Sequence, residues 1–373
     1  MPDACSHDQY SEIAAEMERV INRYQQARLF NGSAAVCFRG QALLYGGFGW
    51  ADPATQKPVT EHTRFFIGSN SKQFTAGLIF RLAERGLVEI GGPVAAYLPY
   101  FREDQGQKIT LHQLLTHTSG IYNYTDHPDF QSPEFLRGYT VPAMIREMTR
   151  PELEFEPGSR FQYSNTNYLI LGGIIEEVLG RPFPGVLEKY LLDPLGFADT
   201  GYFKGDEDKG LFAKAYSLCD NGLGGLGLAE LPWQRPDLFF SAGNIYSSLA
   251  DMVRWIDLLT AGGVIPERYR ETAFKPVHNN YACGIVCIEA GLSELENLFR
   301  EELQFVSKSI WTGEKVYRFF LHRGALGGYN SFWLAVPELA LTVVLLSSFV
   351  GPVYPEEIVY YLLKALFRQE IQG

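Results

Sequence analysis

The chain has 373 residues and a mass of 42.0 kDa, more than one average domain and enough to bury a sizeable core. Hydrophobic residues make up 46% and charged residues 20% of it, which excludes a disordered or fibrous protein. Against 43 Asp and Glu stand only 32 Lys and Arg, giving a formal net charge of −11 without a local basic run, so nucleic acid is not an expected partner.

In chain order, Ile13, Met17, Val20, Ile21 and Tyr24 recur on one face of a 3.6-residue period and predict an amphipathic helix. Residues 34–38 and 42–48 are apolar runs around Arg39-Gly40-Gln41 and read as a β-hairpin. After Gly68 the pattern turns helical through Phe74, Leu78 and Leu82, with Gly86 placed to end it. The chain from there to about residue 270 reads as mostly helical and loop-rich. Two helices are distinct: 167–179, stopped by Gly180, and 248–261, opened by the Ser248 and Asp251 capping pair and closed by Gly262. Strands return at 316–321, 332–336 and 339–346, and 355–367 predicts a final amphipathic helix. Strands at both ends with helices between predict an α+β fold. One antiparallel sheet is built from the N- and C-terminal segments (1–68 and 270–373) and flanked by terminal helices, and a mostly helical lobe (69–269) is inserted. The lobes would meet in a cleft. The glycine-rich patch 222–227 lacks a following Lys-Ser/Thr and reads as a flexible loop, not a phosphate cradle.

No run of about 18 apolar residues is present, and Met1-Pro2-Asp3-Ala4-Cys5 has neither a basic region nor an apolar signal core. A cytoplasmic, non-membrane location is therefore expected. The five cysteines are an odd set without C-x-x-C and read as reduced thiols. Cys283 and Cys287 would share one strand face, but no His or third Cys stands at finger spacing, so no metal site is expected there. His112 and His117, five apart on a helix, would face different ways and are expected to be structural.

Ser69-Asn70-Ser71-Lys72 opens the helix after Gly68, and residues three apart share a helical face. Burial and the positive helix end both favour a neutral Lys72 amine that can take the Ser69 proton, while Ser71 points elsewhere. The plain alternative is a capping serine followed by a surface lysine, and S-x-x-K alone carries little weight. Tyr163-Ser164-Asn165 stands in a loop just before a helix. There a tyrosine can exchange a proton if nearby cations lower its pKa, and an Asn amide can bind a substrate carbonyl. The alternative is a helix cap beside a core tyrosine. His322-Arg323-Gly324-Ala325 ends a predicted strand. Small residues there would let a substrate approach the backbone, and an N–H at this edge could join that of Ser69 in binding an oxyanion. Arg323, one residue on from His322, should face the opposite side of the sheet.

Together these segments resemble the serine β-lactamase-like superfamily, in particular the class C β-lactamase and penicillin-binding-protein-like branch with its esterases and D-amino-acid peptidases. Phe66-Ile67-Gly68-Ser69-Asn70-Ser71-Lys72-Gln73-Phe74-Thr75 looks like that branch's nucleophile segment, and Leu114-Leu115-Thr116-His117-Thr118-Ser119-Gly120-Ile121 is similar to its helix-to-loop segment. Pro157-Gly158 before Tyr163-Ser164-Asn165, and Ser248-Leu249-Ala250-Asp251-Met252 opening a long helix, fit in order and spacing. The resemblance implies Ser69 as acylated nucleophile, Lys72 as its activating neighbour and Tyr163 as proton shuttle. Asn165 would hold substrate, the N–H groups of Ser69 and Ala325 would form the oxyanion hole, and His322, beside Tyr163, and Gly324 would line the substrate site. Two departures stand out. His322 takes the place of the lysine in the family's K-T-G element, which removes a permanent cation, and Asn244 stands where glycine is usual. The expected function is a cofactor-free, metal-free serine hydrolase acting through an acyl-enzyme on a small ester or amide. Esterase ranks ahead of D-peptidase, with β-lactamase last. The rival is a catalytically silent binding or regulatory protein of the same fold.

Overall fold

A computed structural model describes residues 7–368 except 131, 133, 206–208, 221–225, 233–234, 295–298 and 300–314. Residues 1–5 and the 222–225 part of the glycine-rich patch lie outside the described residues, while Gly227 belongs to a strand, Leu226–Glu230, paired with Tyr216–Asp220.

The main elements are α1 (His7–Gln26), β1 (Gly32–Phe38), β2 (Gln41–Phe48), α2 (Ser71–Glu84), α3 (Asn165–Leu179), α4 (Leu249–Ala261), β3 (Val286–Ala290), β4 (Tyr317–Leu326), β5 (Tyr329–Val336), β6 (Leu341–Ser347) and α5 (Pro355–Leu366). Six strands form one antiparallel sheet in the order β3-β4-β5-β6-β1-β2, so β1 from the N-terminal end pairs with β6 from the C-terminal end, Gly32 opposite Ser347 and Phe38 opposite Leu341. That pairing joins the two ends of the chain, as the strand distribution predicts.

Both faces of the sheet are covered, and its alternation shows how. Leu341, Val343 and Leu345 of β6 pack with Met17, Ile21, Ile358 and Leu362 under the terminal helices, whereas Val344 and Leu346 pack into the helical side with Phe74 and Trp255. Tyr24 of α1 donates to Glu357 at the start of α5 at 2.8 Å, tying the two terminal helices together. Helix α2 is buried almost all round, which makes it the central helix between the sheet and the helical region and not an amphipathic surface element. It ends through Gly86 in the left-handed region, and α3 and α4 end at Gly180 and Gly262 in the same way.

The sequence reading cut β4 short. The strand runs on through His322-Arg323-Gly324-Ala325 to Leu326 and turns at Gly327-Gly328, both at positive φ, in a two-residue hairpin to β5. Because β3 pairs only as far as Leu321, the edge of β4 from His322 onward is open on that side and receives the turn that precedes α2.

Candidate active site

The turn that presents Ser69 is held by close backbone approach. Ile67 donates its N–H to Ile245 O at 3.1 Å. Gly68 then takes φ +51°, and a Cβ there would lie 2.6 Å from the Ala325 nitrogen. A Cβ on Gly324 would sit 1.9 Å from the Ile67 carbonyl oxygen, so only glycine allows β4 to come this near the segment that carries Ser69. The side of Gly324 toward Ile67 is therefore filled by the protein's own backbone, and this approach brings Ala325 beside the turn that carries Ser69.

Beneath the turn, Asn70 is the hub of a buried network. It donates to Ser331 Oγ at 2.8 Å, and its carbonyl accepts from Trp333 at 3.0 Å and from Gln73 at 3.2 Å. Ser331 in turn donates to the Ile67 carbonyl, and Trp255 donates to Gln73. With its members mutually satisfied, such a network fixes one geometry. It locks the start of α2 to the sheet.

Lys72, one turn beyond Ser69, is wholly buried. Its Nζ lies 3.0 Å from Ser69 Oγ, 2.8 Å from Asn165 Oδ1 and 2.9 Å from the Ala242 carbonyl. Burial pushes the amine well below the ordinary lysine pKa. A neutral amine has two N–H donors and one lone pair. Asn165 and Ala242 are acceptors that take the donors, which leaves the lone pair for the Ser69 hydroxyl proton. Ser71 faces away, as its spacing predicts, and accepts from the Ile245 N–H at 3.1 Å.

Asn165, first residue of α3, accepts from Lys72, donates to Thr125 Oγ1 at 3.2 Å, and receives its own N-terminal support from Asn123. It thereby fixes one of the acceptors around Lys72 Nζ. The Tyr163 ring lies 4.9 Å from Lys72 Nζ, and its buried hydroxyl has no hydrogen-bond partner among the described residues. Burial raises this phenol, while the nearby Ser69 hydroxyl and Arg323 pull it back. The lowering of its pKa expected from neighbouring cations is outweighed by that burial.

Behind Tyr163 lies a wall that sequence reasoning did not assemble. His117, buried at φ +55° just past a short helix, packs tilted against Tyr163 at 4.2 Å between ring centroids and accepts the Ser164 N–H at Nδ1. Tyr281 contacts His117, Tyr163 and His322, with centroids 4.9, 6.1 and 5.8 Å away. His322 was expected directly beside Tyr163; Tyr281 stands at that junction instead. The only local signal near it is Asn279-Asn280, a pair suited to a tight turn with two positive-φ residues.

Arg323 faces the terminal helices, 3.7 Å from Glu356 and over the Tyr354 ring, as strand alternation requires. Asn244 adopts an ordinary backbone (φ −92°) and donates to the Phe203 carbonyl, so no glycine is needed there. Cys283 and Cys287 do not share a strand face. Gly284 at φ +79° leaves Cys283 in the turn before β3. Both thiols are pushed up by burial. Among the described residues no group of three or more metal-ligating side chains occurs, and no helix is long and apolar enough to cross a membrane.

A serine with a buried lysine one helical turn on, set where a helical region meets an antiparallel sheet, defines a serine hydrolase site of the β-lactamase and penicillin-binding-protein kind. The Beta-lactamase family model matches residues 17–366, and the chain belongs to that family. It is 30% identical over 258 residues to the putative penicillin-binding protein PbpX of Bacillus subtilis, covering 69% of this chain and 61% of that protein. It is likewise 30% identical over 236 residues to the teichoic acid D-alanine hydrolase of Staphylococcus aureus, covering 63% and 56%. The matches thus span about six-tenths of these relatives. Among solved structures, the D-amino acid amidase of Ochrobactrum anthropi superposes with a TM-score of 0.75 at 21% identity over 96% of this chain and 100% of that one.

Proposed function

We propose that the protein hydrolyses small, uncharged carboxylic esters through an acyl-enzyme on Ser69. The observation that supports this most is the set of three contacts at Lys72 Nζ, which suits a neutral amine holding a lone pair toward Ser69 Oγ. In this reading Lys72 removes the Ser69 proton as Oγ attacks the carbonyl carbon. The N–H groups of Ser69 and Ala325 then receive the oxyanion. The protonated Tyr163 hydroxyl, next to the nucleophile, gives its proton to the leaving oxygen and is restored from Lys72. Water repeats the sequence in reverse to free the acid. No cofactor enters the scheme.

The preference for uncharged esters is argued from charge. His322 is buried and pushed down to about 3, chiefly by that burial, and Arg323 points to the other face of the sheet. Neither supplies a fixed cation for a substrate carboxylate. The test is kcat/KM for p-nitrophenyl butyrate beside a chromogenic cephalosporin, with the ester expected to win. A preference for the cephalosporin of tenfold or more, about 1.4 kcal/mol in transition-state binding, would refute the esterase reading. A second reading, hydrolysis of D-alanyl esters or amides, draws on the relative named as a teichoic acid D-alanine hydrolase. A higher kcat/KM for D-alanine methyl ester than for both its L-isomer and p-nitrophenyl butyrate would favour it.

A further inference from the structure

Tyr281 is placed by a tight turn. His278 and Tyr281 close it through the Tyr281 N–H to the His278 carbonyl at 2.9 Å, with Asn279 and Asn280 at φ +49° and +56° between them. The ring is then driven into the wall behind Tyr163, where it is almost fully buried. Its hydroxyl lies 3.0 Å from His322 Nε2.

The protonation pattern of His322 follows from its partners. Nδ1 is 2.7 Å from the carbonyl oxygen of Arg323. A carbonyl only accepts, so Nδ1 carries the hydrogen and Nε2 keeps a lone pair. Tyr281 is therefore the donor to Nε2, and both ring nitrogens are committed inside the protein. The charged and titratable groups around the ring are Lys72 from α2, Tyr281 from the turn and His117 beyond it, while Arg323 of its own strand is directed to the other face of the sheet. None is an acid that would favour an imidazolium.

We propose that Tyr281 is a positioning residue that sets substrate charge preference: by donating its hydroxyl to His322 Nε2 it holds the imidazole in the Nδ1–H tautomer and withholds a positive charge from substrate. With its lone pair occupied, His322 offers no cation to an anionic acyl chain. This deepens the acyl-enzyme reading above and, in its substrate arm, rests on it.

The decisive measurement needs no turnover. In the resting wild-type enzyme, ¹⁵N–¹H correlation of the histidine rings, assigned with His322→Gln, should show His322 protonated at Nδ1 and bare at Nε2. Protonation at Nε2 would overturn the proposal whether or not Tyr281→Phe folds, and would leave the Ser69 chemistry untouched. The second arm is Tyr281→Phe, assayed on mono-p-nitrophenyl glutarate, which carries a remote carboxylate, and on p-nitrophenyl butyrate. Releasing the lone pair should lower KM for the glutarate ester at least threefold between pH 8 and pH 6 relative to wild type, without a matching change for the butyrate. Parallel changes in kcat for both esters with no pH-dependent split in KM would mean that Tyr281 is only structural and would overturn the assignment.

Discussion

The protonation state of Lys72 can be read from stability as well as from catalysis. Consider Lys72→Met, which keeps most of the side-chain volume and removes the titrating group. Its pH-independent effect is mixed, because the buried Asn165 Oδ1 and the Ala242 carbonyl lose their donor, at about 1–3 kcal/mol for each group left unsatisfied. The pH-dependent effect is cleaner. Burial lowers the folded-state pKa of Lys72 well below its ordinary value, so between that lowered value and the unfolded value of about 10.4 the unfolded chain binds one proton more than the folded one. Wild-type stability must therefore gain about 1.4 kcal/mol per pH unit from this group as pH rises through that window, and must lose it as pH falls. The variant lacks the contribution. The buried tyrosines, including Tyr163, titrate alike in both proteins and cancel in the difference. Urea unfolding at pH 8, 9 and 10 should show wild type gaining on Lys72→Met by about 1.4 kcal/mol for each unit, flattening above pH 10. Parallel curves would mean that Lys72 is charged in the folded protein, and the general-base argument would fail with it.

Lys72→Ala and Tyr163→Phe should each lower kcat by on the order of 10²-fold or more, and the double variant should lose far less than the product, because the two pass one proton between them; multiplicative losses in steady-state kinetics would show that they act separately. Gly324→Ala places a methyl 1.9 Å from the Ile67 oxygen, so β4 and the nucleophile turn must separate. The expected outcome is a fall in kcat of on the order of 10²-fold as the Ala325 N–H leaves its place, and wild-type turnover in a folded variant would remove Ala325 from the oxyanion site. Asn70→Ala leaves the Trp333 indole N–H and the Gln73 amide without their acceptor and the Ser331 oxygen without its donor in the core and should cost about 2–4 kcal/mol in urea unfolding; a loss within about 0.5 kcal/mol would show that the network does not hold the turn.

What could be read from the chain and what could not divide along a physical line. Ser69 and Lys72 lie one helical turn apart, so local spacing alone predicts their contact, and the 3 Å approach confirms the geometry. Apolar alternation likewise revealed the hairpins and the joining of the two ends in one sheet. The length of β4 was hidden because His322, Arg323 and Gly324 interrupt the apolar run, although backbone pairing with β5 carries the strand through them. The purpose of Gly324 was hidden for a related reason: its neighbour is the Ile67 carbonyl, a contact between distant segments that no local pattern encodes. Tyr281 escaped notice because the turn signal Asn279-Asn280 says where the chain reverses, not what the next side chain meets. Cys283 was misplaced by reading alternation across Gly284, whose positive φ breaks the strand.

The central claim is covalent chemistry at one oxygen, and intact-mass analysis with a slow acylating probe tests it most directly. A fluorophosphonate should add a single adduct to the wild-type protein, peptide mapping should place it on Ser69, and Ser69→Ala should take up none at that site. A wild-type protein that stays unmodified, an adduct on another residue, or labelling of Ser69→Ala at the wild-type rate would contradict the account.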